Sequence, residues 1–343
     1  MVPATMTTLP RPLAHDAAVP VIDLAPSFGH DAQATAEIAA RIDAACRRDG
    51  FFHVTGHGVP LALTGHLFML SRRLFALPED VKRRWHIERS GGLCRGHDPV
   101  GWQALEAGRP ADLKESYYLG VDRPPWDPLV RAGTPNHGPN QWPDEALVPG
   151  FQSTVEAYQA SMTRLGRHLM GLMALALGLP RGHFEPFQRD PMPVLRLLHY
   201  PPQSASRLEG QIGSGAHTDW GGLTLLAQDR SGGLEVWREG PGGEGAWVDV
   251  PPIEGAFVVN LGDLMQRWTN DRYRSSLHRV VNRHTGAARH SIAWFHDIDY
   301  HAQVRALPGC HDAADPPRYP AITAGEHIVG MYRRTTLPEK QAT

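Results

Sequence analysis

"GAHTDWGGLTLLAQD", residues 215–229, sets a histidine and an aspartate two positions apart, immediately ahead of an apolar run. On an extended chain residues i and i+2 project to the same side, so His217 and Asp219 can converge on one ion. The motif alone is weak. About two H-x-[DE] triplets are expected by chance from 19 histidines and 36 acidic residues, and three occur: His86/Glu88, His183/Glu185 and His217/Asp219. Only the last stands among strand patterns.

Those patterns begin after Pro193. Short runs at near-regular spacing, punctuated by Gly, Pro, Asn and Asp, read VLRLLHY (194–200), LTLLAQ (223–228), GLEVW (233–237), WVDV (247–250), AFVVNLGD (256–263), SSLHRVV (275–281) and HSIAWFHD (290–297). This is the texture of an antiparallel sandwich or barrel. Upstream, VPVIDLAP and FFHVTGHGV read as strands. Helical periodicity covers 36–48, where Gly50 stops it, and 61–77, closed by Pro78. Helices are also expected over 151–178 and 324–334. Residues 87–142 are rich in Gly, Pro, Trp and charge with little periodicity, and a loop of that length is usually functional.

Composition bounds the class. The chain has 343 residues, 41% hydrophobic and 20% charged, with a net charge of −2. It can bury a large core, and near-neutrality offers no electrostatic case for nucleic acid or an anionic membrane. Cys46, Cys94 and Cys310 are odd in number and far apart, which points to a reducing cytoplasm rather than a disulfide framework. No signal-peptide pattern opens the sequence. LMGLMALALGL (169–179) is too short to span a bilayer.

Fifty-nine positions beyond Asp219 lies His278, in a run that places Ser276, His278 and Val280 on one face. Two imidazoles and a carboxylate suit non-haem Fe(II) with sites left open for O2 and a co-substrate; zinc more often takes cysteine or a third histidine. Arg289 and Ser291 share a face eleven and thirteen residues later, expected on the strand adjacent to His278. A guanidinium on an inward sheet face is costly without an anion, and arginine grips carboxylates through paired hydrogen bonds. A 2-oxo acid, chelated at one end and held at the other, fits such a site.

At this point the chain resembles the isopenicillin N synthase-like group of Fe(II)/2-oxoglutarate-dependent oxygenases, through VPVIDL, DGFFHVTGHGV, DLKESYYLG, LRLLHYPP, GAHTDWGGLTLL, SSLHRVV, RHSIAWF and ITAGEHIVGMYRR. The resemblance implies a mainly β fold with flanking helices, a double-stranded β-helix (a distorted, cupin-like jelly roll). Fe(II) would be bound by His217, Asp219 and His278, and the distal carboxylate of 2-oxoglutarate by Arg289, Ser291 and Tyr200. The implied organisation is a tail over 1–18, an N-terminal region over 19–150 packing on the core, an oxygenase domain over 151–335 with its jelly roll at about 191–298, and a tail over 336–343. Leu198 departs from many plant members, which carry Asn there. Arg196 is a candidate for an anionic substrate group or a strand-surface arginine. Leu225 and Phe295 have inward parity, as pocket lining or plain core. Trp102, Lys114, Glu115 and Tyr117 are candidate pocket walls or, singly, exposed loop decoration.

The implied reaction couples oxidative decarboxylation of 2-oxoglutarate, with O2, to hydroxylation, desaturation or cyclisation of a small metabolite, in specialised metabolism by family habit. Three alternatives stay open: an Fe(II) oxidase of the isopenicillin N synthase type that needs no 2-oxoglutarate, ethylene-forming chemistry, and a non-catalytic cupin-like binding protein. Substrate and oligomeric state are not legible.

Overall fold

Strict alternation along the strands sorts side chains into two layers, and the layers organise the molecule. The computed structural model describes residues 18–203, 208–240, 244–283 and 286–335. The expected tails over 1–18 and 336–343 lie outside the described residues, apart from Ala18. The first part of the chain runs β1 (Val21–Asp23), α1 (Ala32–Arg48), β2 (Phe51–Thr55), α2 (Leu61–Phe75), α3 (Glu79–Lys82), β3 (Gly96–Asp98), β4 (Glu115–Leu119), α4 (Pro128–Arg131) and α5 (Phe151–Ala176). The second runs β5 (Val194–Tyr200), β6 (Ser214–His217), β7 (Leu223–Gln228), β8 (Leu234–Glu239), β9 (Gly245–Asp249), β10 (Phe257–Leu261), α6 (Asp263–Trp268), β11 (His278–Val280), β12 (Arg289–Phe295), β13 (Gln303–Val304), β14 (Ile322–Thr323) and α7 (Ala324–Thr335).

Eight strands form the major sheet in the order β1-β2-β10-β7-β12-β5-β4-β3, and β6-β11-β8-β9 form the minor sheet facing it. This is the jelly-roll arrangement of a double-stranded β-helix. On the outer face of the major sheet, Leu195 and Leu197 of β5, Leu223 and Leu225 of β7, Val259 of β10 and Ile292 and Trp294 of β12 join α1, α2 and α5 in one buried core. The alternate residues turn inward: Leu198, Tyr200, Val258 and Ala293 meet Val236, Val248 and Val280 of the minor sheet in a second, smaller core. The site occupies the polar remainder of that interior.

Three differences from the sequence reading have local causes. Helix α1 starts at Ala32 rather than 36 because the Asp31 carboxylate caps it, accepting from Ala34 N at 3.0 Å. The unpatterned 87–142 segment contains β3 and β4. Both join the major sheet, so the N-terminal region contributes four of its eight strands rather than only packing on it. Strand β4 is buried throughout, so it lacks the polar–apolar alternation that marks a half-buried strand. Finally, β12 is not adjacent to β11. It lies in the major sheet between β7 and β5, while β11 pairs with β6 and β8 in the minor one. Arg289 and Ser291 therefore approach His278 across the sandwich, not along one sheet.

Candidate metal centre and co-substrate pocket

The two histidines are cross-strand neighbours. His217 ends β6, His278 begins β11, and the antiparallel register pairs them directly, with ring centroids 4.3 Å apart. Each ring is oriented by its own backbone: His217 Nδ1 donates to Gly215 O at 2.8 Å and His278 Nδ1 donates to Ser276 O at 3.1 Å. A carbonyl can only accept, so Nδ1 carries the proton and the Nε2 lone pairs remain for a metal. Both Nε2 atoms face Asp219 Oδ1, at 4.0 and 3.8 Å.

Asp219 divides its two oxygens. Oδ2 accepts from Thr224 Oγ1 and from Asn260 Nδ2, each at 2.6 Å. These donors are themselves register partners on β7 and β10, so the major sheet holds the carboxylate whose free oxygen faces the minor sheet's histidines. The Asp219 backbone is pinned as well, its carbonyl accepting from Asp263 N at 2.8 Å. Only glycine fits at 262, since a Cβ there would lie 2.3 Å from Gly221 O. Burial and neighbouring His278 push the His217 pKa well below its ordinary value, which keeps the imidazole neutral. Burial raises the Asp219 carboxyl, but His278, His217, Thr224 and Asn260 together outweigh it and keep it ionised. The donor set fits a divalent, borderline-hard ion: three ligand atoms within 4.8 Å of one another, with their remaining atoms already bonded to protein. Thr224 and Asn260 went unread in the sequence, although an asparagine inside the apolar run AFVVNL was a signal.

Behind this centre the sandwich interior holds a cavity lined by Arg196, Leu198 and Tyr200 of β5, Ser291 and Arg289 of β12, and the three candidate ligands. Arg289 is 1% exposed. Its Nε donates to Gly232 O at 2.8 Å, Nη2 to Gln228 Oε1 at 3.0 Å and Nη1 to Ser291 Oγ at 3.2 Å. The guanidinium lies 4.7 Å from the Tyr200 ring centroid, its register partner. Among the described residues no carboxylate pairs with it, so a buried cation faces the cavity with neutral neighbours only.

A second cavity opens on the other side of His217 and Asp219, lined by Arg95, Tyr118, Arg196, Trp220, Phe295 and Tyr332 among others. Arg196 and Phe295 border both cavities. Arg196 is buried, not a surface arginine: Nε donates to Ser116 Oγ at 3.0 Å and Nη2 to Gln103 Oε1 at 2.9 Å, with Asp98 at 3.4 Å. Asp297 also lines this cavity; burial and neighbouring Asp219 raise its pKa to about 7.

Several expected wall residues lie elsewhere. Leu225 sits in the helix-side core, because parity on β7 sends Thr224 and Leu226 inward instead. Trp102 packs edge-on against His86 and borders neither cavity. Lys114, Glu115 and Tyr117 are not loop decoration but buried members of the β4 region. Lys114 pairs with Asp112, and the Tyr117 hydroxyl donates to Gln141 O at 2.7 Å. Glu115 receives Lys82 Nζ at 2.5 Å, His97 Nε2 at 2.8 Å and His199 Nδ1 at 2.7 Å. Glu79, His97 and Glu115 also cluster closely enough for a metal, but Lys82 already occupies that place, 3.3 Å from Glu79.

Family models, curated relatives and solved structures all match the chain. Residues 19–145 match the family model described as the non-haem dioxygenase in morphine synthesis N-terminal region, and residues 191–298 match that of the 2OG-Fe(II) oxygenase superfamily. A 2-oxoglutarate-Fe(II) type oxidoreductase, hxnY, of Emericella nidulans is 37% identical over 93% of this chain and 90% of its own. The 2-oxoglutarate-dependent dioxygenase citB of Monascus ruber is 38% identical over 93% and 94%. Among solved structures, Neurospora crassa T7H in complex with alpha-KG superposes with a TM-score of 0.81 at 29% identity, covering 94% of this chain and 98% of that one. JOX2 in complex with 2OG, Fe and JA gives 0.76 at 26% identity, covering 97% and 91%.

Proposed function

The chain belongs to the 2OG-Fe(II) oxygenase superfamily, and from that premise we propose that His217, Asp219 and His278 hold its iron while Arg289, Ser291 and Tyr200 receive the far carboxylate of 2-oxoglutarate. The protein is a 2-oxoglutarate- and Fe(II)-dependent oxygenase acting on a small molecule. One observation carries the residue assignment: Nε2, Oδ1 and Nε2 converge while Nδ1, Oδ2 and Nδ1 are each bonded to protein.

Bound iron supplies activation of O2 and the oxidation of both 2-oxoglutarate and substrate. The chain's own work is positioning. Gly215 O and Ser276 O orient the imidazoles, and Thr224 with Asn260 orients the carboxylate. Arg289, Ser291 and Tyr200 would hold the far carboxylate of 2-oxoglutarate, and the apolar inner faces of β5, β8, β11 and β12 would keep water out. The cavity beyond His217 and Asp219 takes the substrate. On this reading regions 19–150 and 151–335 work as one unit, since their strands share a sheet. No helix of the described residues is long and apolar enough to cross a membrane, and three free cysteines support a reducing, cytoplasmic setting.

Anaerobic addition of Fe(II) and then 2-oxoglutarate should produce the visible charge-transfer band of a chelated 2-oxo acid. His217→Ala and Asp219→Ala should abolish the band and leave the circular dichroism spectrum unchanged. A band of wild-type strength in either variant would place the metal elsewhere.

A further inference from the structure

The co-substrate pocket and metal ligands leave Arg95 without a task. Arg95 is 2% exposed. Its Nη1 donates to Leu93 O at 2.9 Å and Cys94 O at 3.2 Å, and Nη2 donates to Asn136 O at 2.8 Å. Its Nε is buried and has no hydrogen-bond partner. Among the described residues no carboxylate pairs with it. Carbonyl dipoles satisfy some of its protons but do not neutralise its charge, and the Asp122 carboxylate acts on it only from a distance, so the buried cation has no direct counterion. A neutral donor such as Gln could tie 93–94 to 136 without a buried charge. The charge itself therefore asks for an anion.

The place where an anion would meet it is the substrate-side cavity, which Arg95 lines. The guanidinium lies flat on Gly120, where a Cβ would fall 1.9 Å from Nη2, so no other residue fits under it. Two positions back, on β4, the Arg196 guanidinium lies 4.5 Å over the Tyr118 ring. The two cations are thus seated over chain positions about 7 Å apart. Among the described residues, Asp98 is the one carboxylate that touches either of them. The rest of the cavity includes the apolar side chains of Leu105, Met192, Trp220, Phe295 and Ile328. Asp297, the other acid besides the metal ligand, lies against Gly221, its Oδ1 1.7 Å from where a Cβ there would stand.

We infer that the substrate is a small molecule with an apolar body and a carboxylate, and that Arg95, with Arg196 beside it, receives the carboxylate. This rests on the reading of that cavity as the substrate side of an Fe(II)/2-oxoglutarate site. It adds a recognition residue from a segment, residues 87–142, that shows little periodicity in the sequence.

The test uses whole enzyme loaded anaerobically with Fe(II) and saturating 2-oxoglutarate. Binding of 3-phenylpropanoate, 3-phenylpropanamide and 3-phenylpropylamine is measured by calorimetry while the charge-transfer band is followed. The carboxylate should bind at least about tenfold tighter than the amide, as expected for a charge-assisted hydrogen bond in a buried site. Arg95→Gln should cut that preference about tenfold or more with the 2-oxoglutarate affinity unchanged. Should that variant not fold, Arg196→Gln is expected to reduce the preference while leaving the band. Four results overturn the inference: equal or tighter binding of amide or amine, an unchanged preference in Arg95→Gln, loss of carboxylate binding as 2-oxoglutarate is raised, and no carboxylate binding by an enzyme that shows the band. Absence of the band in wild type would instead strike the underlying assignment of iron and 2-oxoglutarate.

Discussion

At the scale of single residues, the site depends on how Asp219 distributes its oxygens. A carboxylate with both oxygens free could rotate or chelate; here two hydrogen bonds of 2.6 Å hold Oδ2, and Oδ1 is left for the metal. Partners of this kind typically tune metal affinity 10- to 100-fold. Asn260→Ala should therefore weaken Fe(II) binding by about that factor in an anaerobic titration, with fold and 2-oxoglutarate pocket preserved. Wild-type affinity would mean that Asp219 needs no orienting partner. Arg289 poses the complementary case. Its protein partners are all neutral, so the charge is compensated only when an anion arrives. Arg289→Ala should raise the 2-oxoglutarate dissociation constant roughly 10- to 100-fold, the worth of one or two charge-assisted bonds, and leave Fe(II) affinity unaltered. If the weakening fell on iron instead, the clamp would be a structural element of the metal site.

At the scale of elements, β4 shows what a strand buried on both faces requires. Glu115 sits at its start, 4% exposed, and draws Lys82 from α3, His97 from β3 and His199 from β5 onto one carboxylate. Burial alone would raise its pKa; the bonds from His199, His97 and Lys82 reverse that and hold it well below the ordinary glutamate range. A depressed carboxylate contributes stability above its unfolded pKa, about 4.3, and the contribution fades as pH falls below that value. Glu115→Gln leaves the buried Lys82 beside a neutral amide with only the exposed Glu79 carboxylate, 3.3 Å away, to pair with, and breaking a buried pair costs up to roughly 3–5 kcal/mol. The variant should melt well below wild type at pH 7, with the gap narrowing on acidification below pH ~4.3. A constant gap would show that the loss is one of packing.

The same strand marks where sequence reading stops. LTLLAQ and VLRLLHY were found with their bounds intact because one face of each meets the helix layer and the other the sandwich interior, and their residues differ accordingly. The i, i+2 spacing also brought Arg289 near Ser291 within β12 and His217 near Asp219, which lies two residues past the end of β6. ESYYL mixes charge and aromatics whose reasons lie on α3, β3 and β5, so no local rule could read it. The expected adjacency of β11 and β12 failed for a related reason: closeness in sequence does not say which of two facing sheets a strand joins. Leu225 takes the plain-core alternative rather than the pocket one, because one residue of register on a strand reverses the face.

For the whole molecule, the question is what locks the helix layer to the sandwich. At the end of β12, His296 reaches across to the long helix. It is 1% exposed and packs on Gly166 of α5, where a Cβ would lie 2.3 Å from Nδ1. Its Nε2 donates to Gln188 Oε1 at 2.7 Å, and its buried Nδ1 has no partner. Burial, assisted by nearby Arg167, lowers its pKa to about 4. The folded protein thus keeps this imidazole neutral down to about pH 4, whereas the unfolded chain protonates it near pH 6.5. Across that interval the unfolded state binds more protons, so acidification favours unfolding. The full difference corresponds to about 3 kcal/mol, present above pH ~6.5 and lost as pH falls to about 4. His296→Gln removes the titration along with some packing. The variant should be less stable than wild type at pH 8, and the difference should shrink by about 3 kcal/mol by pH 4, read as denaturant midpoints at fixed ionic strength. A difference that stays constant across that range would mean that water or a proton already reaches Nδ1 in the folded state, and the seam between helix and sheet would be looser than its packing indicates.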